Sequence, residues 1–261
     1  MRLSVMTFNI RFDCPDDGEN QWLRRRDMLT EMLREEDPDV FGLQEVLARQ
    51  WEFLVATLPT YHGVTFGRDD GMSRGEMASI CFRADRFGVK DLGHFWLSET
   101  PDQAGSVGWG AHHPRICTWA RLSDSLAGRN FYVYNVHLDN ASQLAREKGG
   151  ALLRDRIRAR GFSDPVLVMG DFNAEEDSKA VQDMLAVDSP IPVDAVRAAQ
   201  PEVDLGGTWH GFAGQPRGGR IDYIFCSPEW AVDSSRVIRT NRNGRYPSDH
   251  FPVAVDLEWP A

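Results

Sequence analysis

The sequence predicts an α/β fold in which β-sheets pack face to face and helices cover the outside. Short β-branched and aromatic runs recur along all 261 residues, mostly bounded by Gly, Pro, Asn and Asp. Only four stretches carry helical signals, and each follows a strand. No repeat, low-complexity tract or long linker divides the chain, so residues 1–261 are expected to form a single domain.

The first strand is expected at 3–9. A helix over 20–36 follows, with Trp22, Leu29, Met32 and Leu33 on one face, Asn20 as cap and Pro38 as stop. A strand at 39–44 leads to a helix at 47–58. Strands at 62–67, 77–83, 89–97, 116–122 and 131–138 precede a helix at 142–160. A strand at 166–170, a short helix from Ser178 to about Leu185, and strands at 221–226 and 252–257 complete the set. The connections 11–21, 68–76, 98–115 and 205–220 exceed the usual length, and loops of that kind tend to carry function.

Composition is that of a globular chain: 42% hydrophobic, 26% charged and 10% aromatic. A net charge of -10 argues against tight, non-specific binding to nucleic acid, which needs many Lys/Arg–phosphate contacts. It leaves room for a nuclease that holds substrate through a metal, and some of the acidity can belong to metal ligands. Cys14, Cys81, Cys117 and Cys226 are scattered without C-x-x-C spacing and read as buried thiols, Cys81 and Cys117 most clearly. Met1 runs directly into a strand with no signal-peptide pattern, and no apolar run approaches membrane-spanning length, so a cytoplasmic location is expected. No protein partner is inferable.

Polar residues gather where strands end. Asn9 follows Val5–Phe8, Glu45 follows Val40–Gln44, and His137 and Asp139 close a run from Phe131. Asp171 and Asn173 close Val166–Gly170, Asp222 interrupts Ile221–Phe225, and Ser248-Asp249-His250 enters the last strand. Singly these have plain readings. Asn9 suits a turn, Asp171 and Asn173 suit a helix cap, and Glu45 suits a helix N-terminus. Asp222 is different, because a carboxylate between apolar strand neighbours is costly unless paired or bound to a cation. The shared placement points to one convergent site. Hard oxygen donors with few cysteines favour Mg²⁺, Mn²⁺ or Ca²⁺ over structural zinc.

In this order, Thr7-Phe8-Asn9-Ile10-Arg11, Leu43-Gln44-Glu45-Val46, Asn135-Val136-His137-Leu138, Gly170-Asp171-Phe172-Asn173, Arg220-Ile221-Asp222-Tyr223-Ile224 and Ser248-Asp249-His250-Phe251-Pro252-Val253 resemble the endonuclease/exonuclease/phosphatase superfamily, the group of deoxyribonuclease I. The resemblance runs from residue 3 to 257. It implies a four-layer α/β sandwich, two mixed sheets face to face between outer helices, and a hydrolase using Mg²⁺ or Mn²⁺. It further implies that Glu45 is the principal metal ligand, with Asn9 beside it and Asp249 helping. Asp171 and Asn173 would position the attacking water, and His250, oriented by Asp222, would be the general acid/base. His137 would donate to a phosphate oxygen, and Glu76, in a segment resembling a deoxyribonuclease I strand, would pair with it.

The resemblance also informs substrate contacts. Arg11 stands where AP endonucleases carry an aspartate and deoxyribonuclease I-like members an arginine, which disfavours abasic-site repair. Arg115 matches an arginine directed toward the phosphate. Trp109, in Gly108-Trp109-Gly110, suits stacking on a base or sugar or anchoring of its own loop. Asp13, Asp16, Asp17 and Glu19, with Glu175, Glu176 and Asp177, form acidic rims that oppose a long polyanion, while Arg236, Arg239, Arg242 and Arg245 temper them. The reading is therefore a phosphoesterase for a compact phosphorylated molecule. The alternatives are a nuclease, including a 3′–5′ exoribonuclease, and a silent binding module.

Overall fold

The computed structural model describes residues 1–203 and 205–259. Twelve strands form two six-stranded mixed sheets. The strands of the first are β1 (Arg2–Asn9), β2 (Val40–Val46), β3 (Tyr61–Val64), β4 (Met77–Arg83), β11 (Ala231–Val237) and β12 (Val253–Glu258), in the order β11-β12-β1-β2-β4-β3. The second holds β5 (Phe87–Trp96), β6 (Ile116–Asp124), β7 (Arg129–His137), β8 (Val166–Asp171), β9 (Val193–Asp194) and β10 (Asp222–Cys226), in the order β5-β6-β7-β8-β10-β9. Helices α1 (Trp22–Glu36), α2 (Ala48–Thr57), α3 (Gln143–Arg158), α4 (Lys179–Met184) and α5 (Ala195–Ala199) connect them. This is the expected four-layer sandwich.

Strand alternation builds the layers. Leu3 and Val5 of β1, Val133 of β7 and Leu167 and Met169 of β8 point between the sheets into a shared core. Their alternates Met6 and Phe8 meet Leu29 and Leu33 of α1, while Tyr134, Val136 and Val168 meet Leu153 and Ile157 of α3. Each such fully buried side chain contributes roughly 1.5–3 kcal/mol relative to exposure. Across the interface β1 lies against β8 and β10, and β2 against β7.

A few polar groups tie the sheets together near the ends of the core. Asn135 Nδ2 donates to the carbonyls of Leu43 (2.9 Å) and Ser79 (2.8 Å), and Gln44 Nε2 donates to Asn135 Oδ1 at 2.7 Å. These residues lie next to the functional strand ends. Gly170 permits the parallel β7–β8 approach there, since a Cβ would stand 2.1 Å from the Val136 carbonyl oxygen.

Two strands and a helix lie outside the sequence expectations. Strand β11 is an edge strand paired only with β12, and its Asp233-Ser234-Ser235-Arg236 lacks β-branched patterning. Strand β9 and helix α5 are too short to show a period. In the long 11–21 loop, residues Pro15–Asn20 form a 3₁₀ helix.

Candidate active site

Strand register brings the predicted residues together. His137 pairs with Asp171, and Asp171 with Asp222, so these three stand in one row across β7, β8 and β10. The opposite wall comes from the first sheet. Asn9 ends β1, Glu45 lies in β2, and Asp249-His250 precede β12. The strand ends enclose a cavity of about 650 Å³ lined by Arg11, Glu45, Glu76, Arg115, His137, Asp171, Asn173, Asp249 and His250 among others.

Local backbone aims several of these groups. A one-residue bulge shifts the β2–β4 register between Leu43 and Val46, and Glu45 inside it has φ 62°. Arg11 (φ 56°) and Asn173 (φ 48°) are also left-handed. Such a conformation costs a non-glycine residue roughly 1–2 kcal/mol, and three at one cavity mark a backbone shaped for the site rather than for stability. Arg25 of α1 holds the neighbouring loops. It is 1% exposed and donates to the carbonyls of Ile10 (2.5 Å), Arg11 (2.6 Å), Asn20 (2.9 Å) and Pro247 (3.0 Å). Burial lowers its pKa to about 10, leaving it charged at neutral pH.

The centre is a hydrogen-bonded chain across both sheets. Asn9 Nδ2 donates to Glu45 Oε1 at 3.0 Å and to Asp171 Oδ2 at 2.9 Å, while its Oδ1 accepts from the Arg11 N–H. His250 Nδ1 lies 3.0 Å from Asp222 Oδ2, and its Nε2 lies 3.8 Å from Asp171 Oδ2. Asp222 is fully buried, and its Oδ1 has no partner among the described residues. Burial alone would lower the His250 pKa, but the charge and hydrogen bond of Asp222, with Asp171 and Asp249, raise it to about 10. Burial, then the nearby Asp222 charge, raises Asp171 to about 7.

The second carboxylate–imidazole pair is looser than expected. Glu76 Oε2 stands 3.9 Å from His137 Nδ1 and instead bonds Arg68 Nη1 at 2.8 Å. The reason is the 67–76 hairpin, where paired backbone bonds set Arg68 opposite Glu76. Burial, then the charges of Arg115 and Arg68, drive the His137 pKa well below its ordinary value. His137 is thus a neutral imidazole, with Nε2 3.6 Å from Asp171 Oδ2. Arg115 is anchored by Asp139 (3.3 Å) and Asn140 (3.0 Å), and Arg11 by a two-bond contact with Asp17. Asn173 Nδ2 donates to the Leu138 carbonyl at 3.1 Å.

Trp109 is not on the cavity wall. It sits in its loop with φ 52°, its N–H donating to Glu99 and its carbonyl accepting from Ser142, an anchoring role. Trp209 occupies the wall instead, its Nε1 donating to Asp249 Oδ2 at 3.3 Å through a short bridge between Trp209 and His250. Arg68, His113 and Asn140 also line the cavity without having been singled out. Trp209, Arg68 and His113 lie in long loops and Asn140 in the short β7–α3 connection, and nothing in their local sequence separates them from ordinary surface residues.

Several of these residues suit a hard divalent cation. Glu45 and Asp249 form no ion pair with Lys or Arg among the described residues, because Arg11, Arg68 and Arg115 are held by Asp17, Glu76 and Asp139. These cation-free carboxylates are oxygen donors of the kind Mg²⁺ or Mn²⁺ takes, and Asn9 lies beside them with its Nδ2 on Glu45 and Asp171 and its Oδ1 on the Arg11 N–H. Asp171, Asp222 and His250 also offer ligand atoms within 4.8 Å of one another, although His250 Nδ1 is already bonded to Asp222.

The sequence model of the endonuclease/exonuclease/phosphatase family matches residues 6–250. A Bacteroides vulgatus endonuclease/exonuclease/phosphatase superposes with a TM-score of 0.93 at 35% identity, covering 99% of each chain. The mannosyl-6-phosphatase Bt3783 of Bacteroides thetaiotaomicron does so with a TM-score of 0.91 at 32% identity, covering 98% of this chain and all of that one. An uncharacterized protein of Acanthamoeba polyphaga mimivirus is 27% identical over 164 residues, 60% of this chain. The chain spans 60% of that relative's length and 43% of a second curated relative's.

Proposed function

The chain belongs to the endonuclease/exonuclease/phosphatase family, and we propose that it is a divalent-metal-dependent phosphoesterase for a compact substrate, a hexose phosphate first of all. The observation that carries this is the Asp222–His250 hydrogen bond at 3.0 Å, opening on the same cavity as Glu45, Asp171 and Asp249. A volume of about 650 Å³ is that of a small-molecule site. The similarity to a mannosyl-6-phosphatase at 32% identity supports a sugar phosphate. Among the described residues no helix is long and apolar enough to cross a membrane.

In this reading Glu45, Asn9 and Asp249 hold the cation. When bound it would offset charge on the phosphoryl oxygens and acidify a water. Asp171, with a pKa of about 7, orients the attacking water beside Asn173 and takes up its proton near neutral pH. His250 carries hydrogen on both ring nitrogens at that pH. Asp222 fixes Nδ1–H, and Nε2–H faces the cavity to protonate the leaving alkoxide. Neutral His137 donates one N–H to a non-bridging oxygen, and Arg115 and Arg11 add charge at the rim. Separate tuning of two neighbouring groups, Asp171 as base and His250 as acid, lets one site supply both.

Trp209 on the wall favours a second reading, a nuclease stacking a base there. A Mg²⁺ and Mn²⁺ screen of mannose 6-phosphate, glucose 6-phosphate, bis-p-nitrophenyl phosphate and poly(A) RNA separates the two, with His250→Ala as control. Hexose phosphate turnover lost in His250→Ala is the expected result. Equal activity of the two proteins would overturn the mechanism, and degradation of RNA alone would favour the second reading.

A further inference from the structure

A second concave site lies on the outer face of the second sheet, beyond the end of α3. Its volume is about 340 Å³, and it is lined by residues of β5, β6 and β7 with the last turn of α3 and the segment that follows it. Five of its twelve lining residues are Phe, Trp or Tyr, against 10% of the whole chain, so its composition is not that of ordinary surface. Trp119, Tyr132 and Tyr134 form the floor, with ring centroids 6.2–6.4 Å apart. Phe162, 54% exposed, stands at the rim with the Arg121 guanidinium 3.8 Å from its ring centre.

The floor is fixed before any ligand arrives. A Cβ on Gly93 would lie 2.8 Å from the Trp119 ring, so the indole packs flat on the bare backbone of β5. Rings already held in place need little further ordering when they bind. Neither the Tyr132 nor the Tyr134 hydroxyl has a hydrogen-bond partner among the described residues, and neither is sealed from solvent. The charges are balanced. Arg156 is paired with Asp102 at 2.9 Å, Arg160 donates to the Ile157 and Asp164 carbonyls, and Asp91 offsets them.

We propose that this cavity binds an uncharged pyranose ring, such as one residue of a glycan. An aromatic floor accepts the C–H face of a sugar, and free phenolic hydroxyls meet its ring hydroxyls. A phosphate or polyanion would find only the Arg160 guanidinium without a carboxylate partner among the described lining residues. The inference does not depend on the catalytic reading, because no residue of this cavity lines the catalytic one.

Saturation-transfer NMR with methyl α-mannoside, methyl α-glucoside and methyl β-galactoside tests it on the full chain. At least one glycoside should bind saturably to wild type and equally to His250→Ala. Binding should weaken about tenfold in Trp119→Ala, the loss of one aromatic contact. Tyr132→Phe and Tyr134→Phe keep the rings and should weaken binding severalfold, which preserves the test if Trp119→Ala fails to fold. Four results would each overturn the proposal: no saturable glycoside binding, unchanged affinity in all three aromatic variants, loss of binding in His250→Ala, or binding of adenosine in place of every glycoside.

Discussion

Replacing Asp222 by Asn changes one charge while keeping the shape of a fully buried side chain. The rise of the His250 pKa from 6.5 to about 10 corresponds to roughly 5 kcal/mol in favour of the imidazolium, net of its burial. Asp222 is the largest of the groups that raise it, through both its charge and its hydrogen bond, so removing its charge should lower the His250 pKa. The amide also removes the acceptor that fixes Nδ1–H. Correct tautomer and proton transfer together are worth about 10²–10⁴ in rate. The decisive assay compares two esters under saturating Mg²⁺. A sugar phosphate, with its poor alkoxide leaving group, should lose 10²–10⁴-fold in kcat. p-Nitrophenyl phosphate, whose leaving group needs little protonation, should lose far less. If Asp222→Asn, folded by circular dichroism, stays within threefold of wild type on both esters, the acid role of His250 is refuted.

Glu45→Gln should raise the Mg²⁺ concentration needed for half-maximal turnover and lower the rate by about 10²–10³, as read by metal titration. Gly170→Ala should cost about 3 kcal/mol or more in urea unfolding, since its Cβ would meet the Val136 carbonyl oxygen at 2.1 Å. Burial would raise the Asp124 pKa, but hydrogen bonds from Arg86 and Trp259 hold it below the usual 3.8. A depressed carboxylate pKa contributes stability present above the unfolded value and lost as pH falls through the folded one. Unfolding followed from pH 6 to 2 should therefore show Asp124→Asn to be less stable than wild type at pH 6, with a shallower acid loss.

Much of this architecture was legible because strands announce themselves. Val166-Leu167-Val168-Met169 is apolar throughout, and Val5-Met6-Thr7-Phe8 is apolar but for Thr7, the pattern of strands buried on both faces. Polar residues directly after such runs can sit only at a sheet end, which is why Asn9, Glu45 and Asp171 were visible. The register was not visible. Nothing local tells that His137, Asp171 and Asp222 share a row, because strand order is set by long-range packing. The preference of Glu76 for Arg68 depends on the fold of the 67–76 hairpin, and the exchange of Trp109 for Trp209 depends on which loop closes over Asp249. The burial of Arg25 comes from two loops folding onto α1, the one after β1 and the one holding Pro247, a fact written in no single segment.

The proposed catalytic centre lies on a seam. Asn9, Glu45 and His250 ride on one sheet, His137, Asp171 and Asp222 on the other, and the Asn9–Asp171 and Asp222–His250 bonds cross between them. Turnover is thus a gauge of how the two halves of the sandwich are docked. A slip of about an ångström between the sheets would stretch both bonds beyond hydrogen-bonding range while each sheet kept its own ladder. Activity should then fail on heating before secondary structure does. Variants that loosen the packing of Gly42 against Met169, between the sheets and off the cavity wall, should bring that failure to lower temperature.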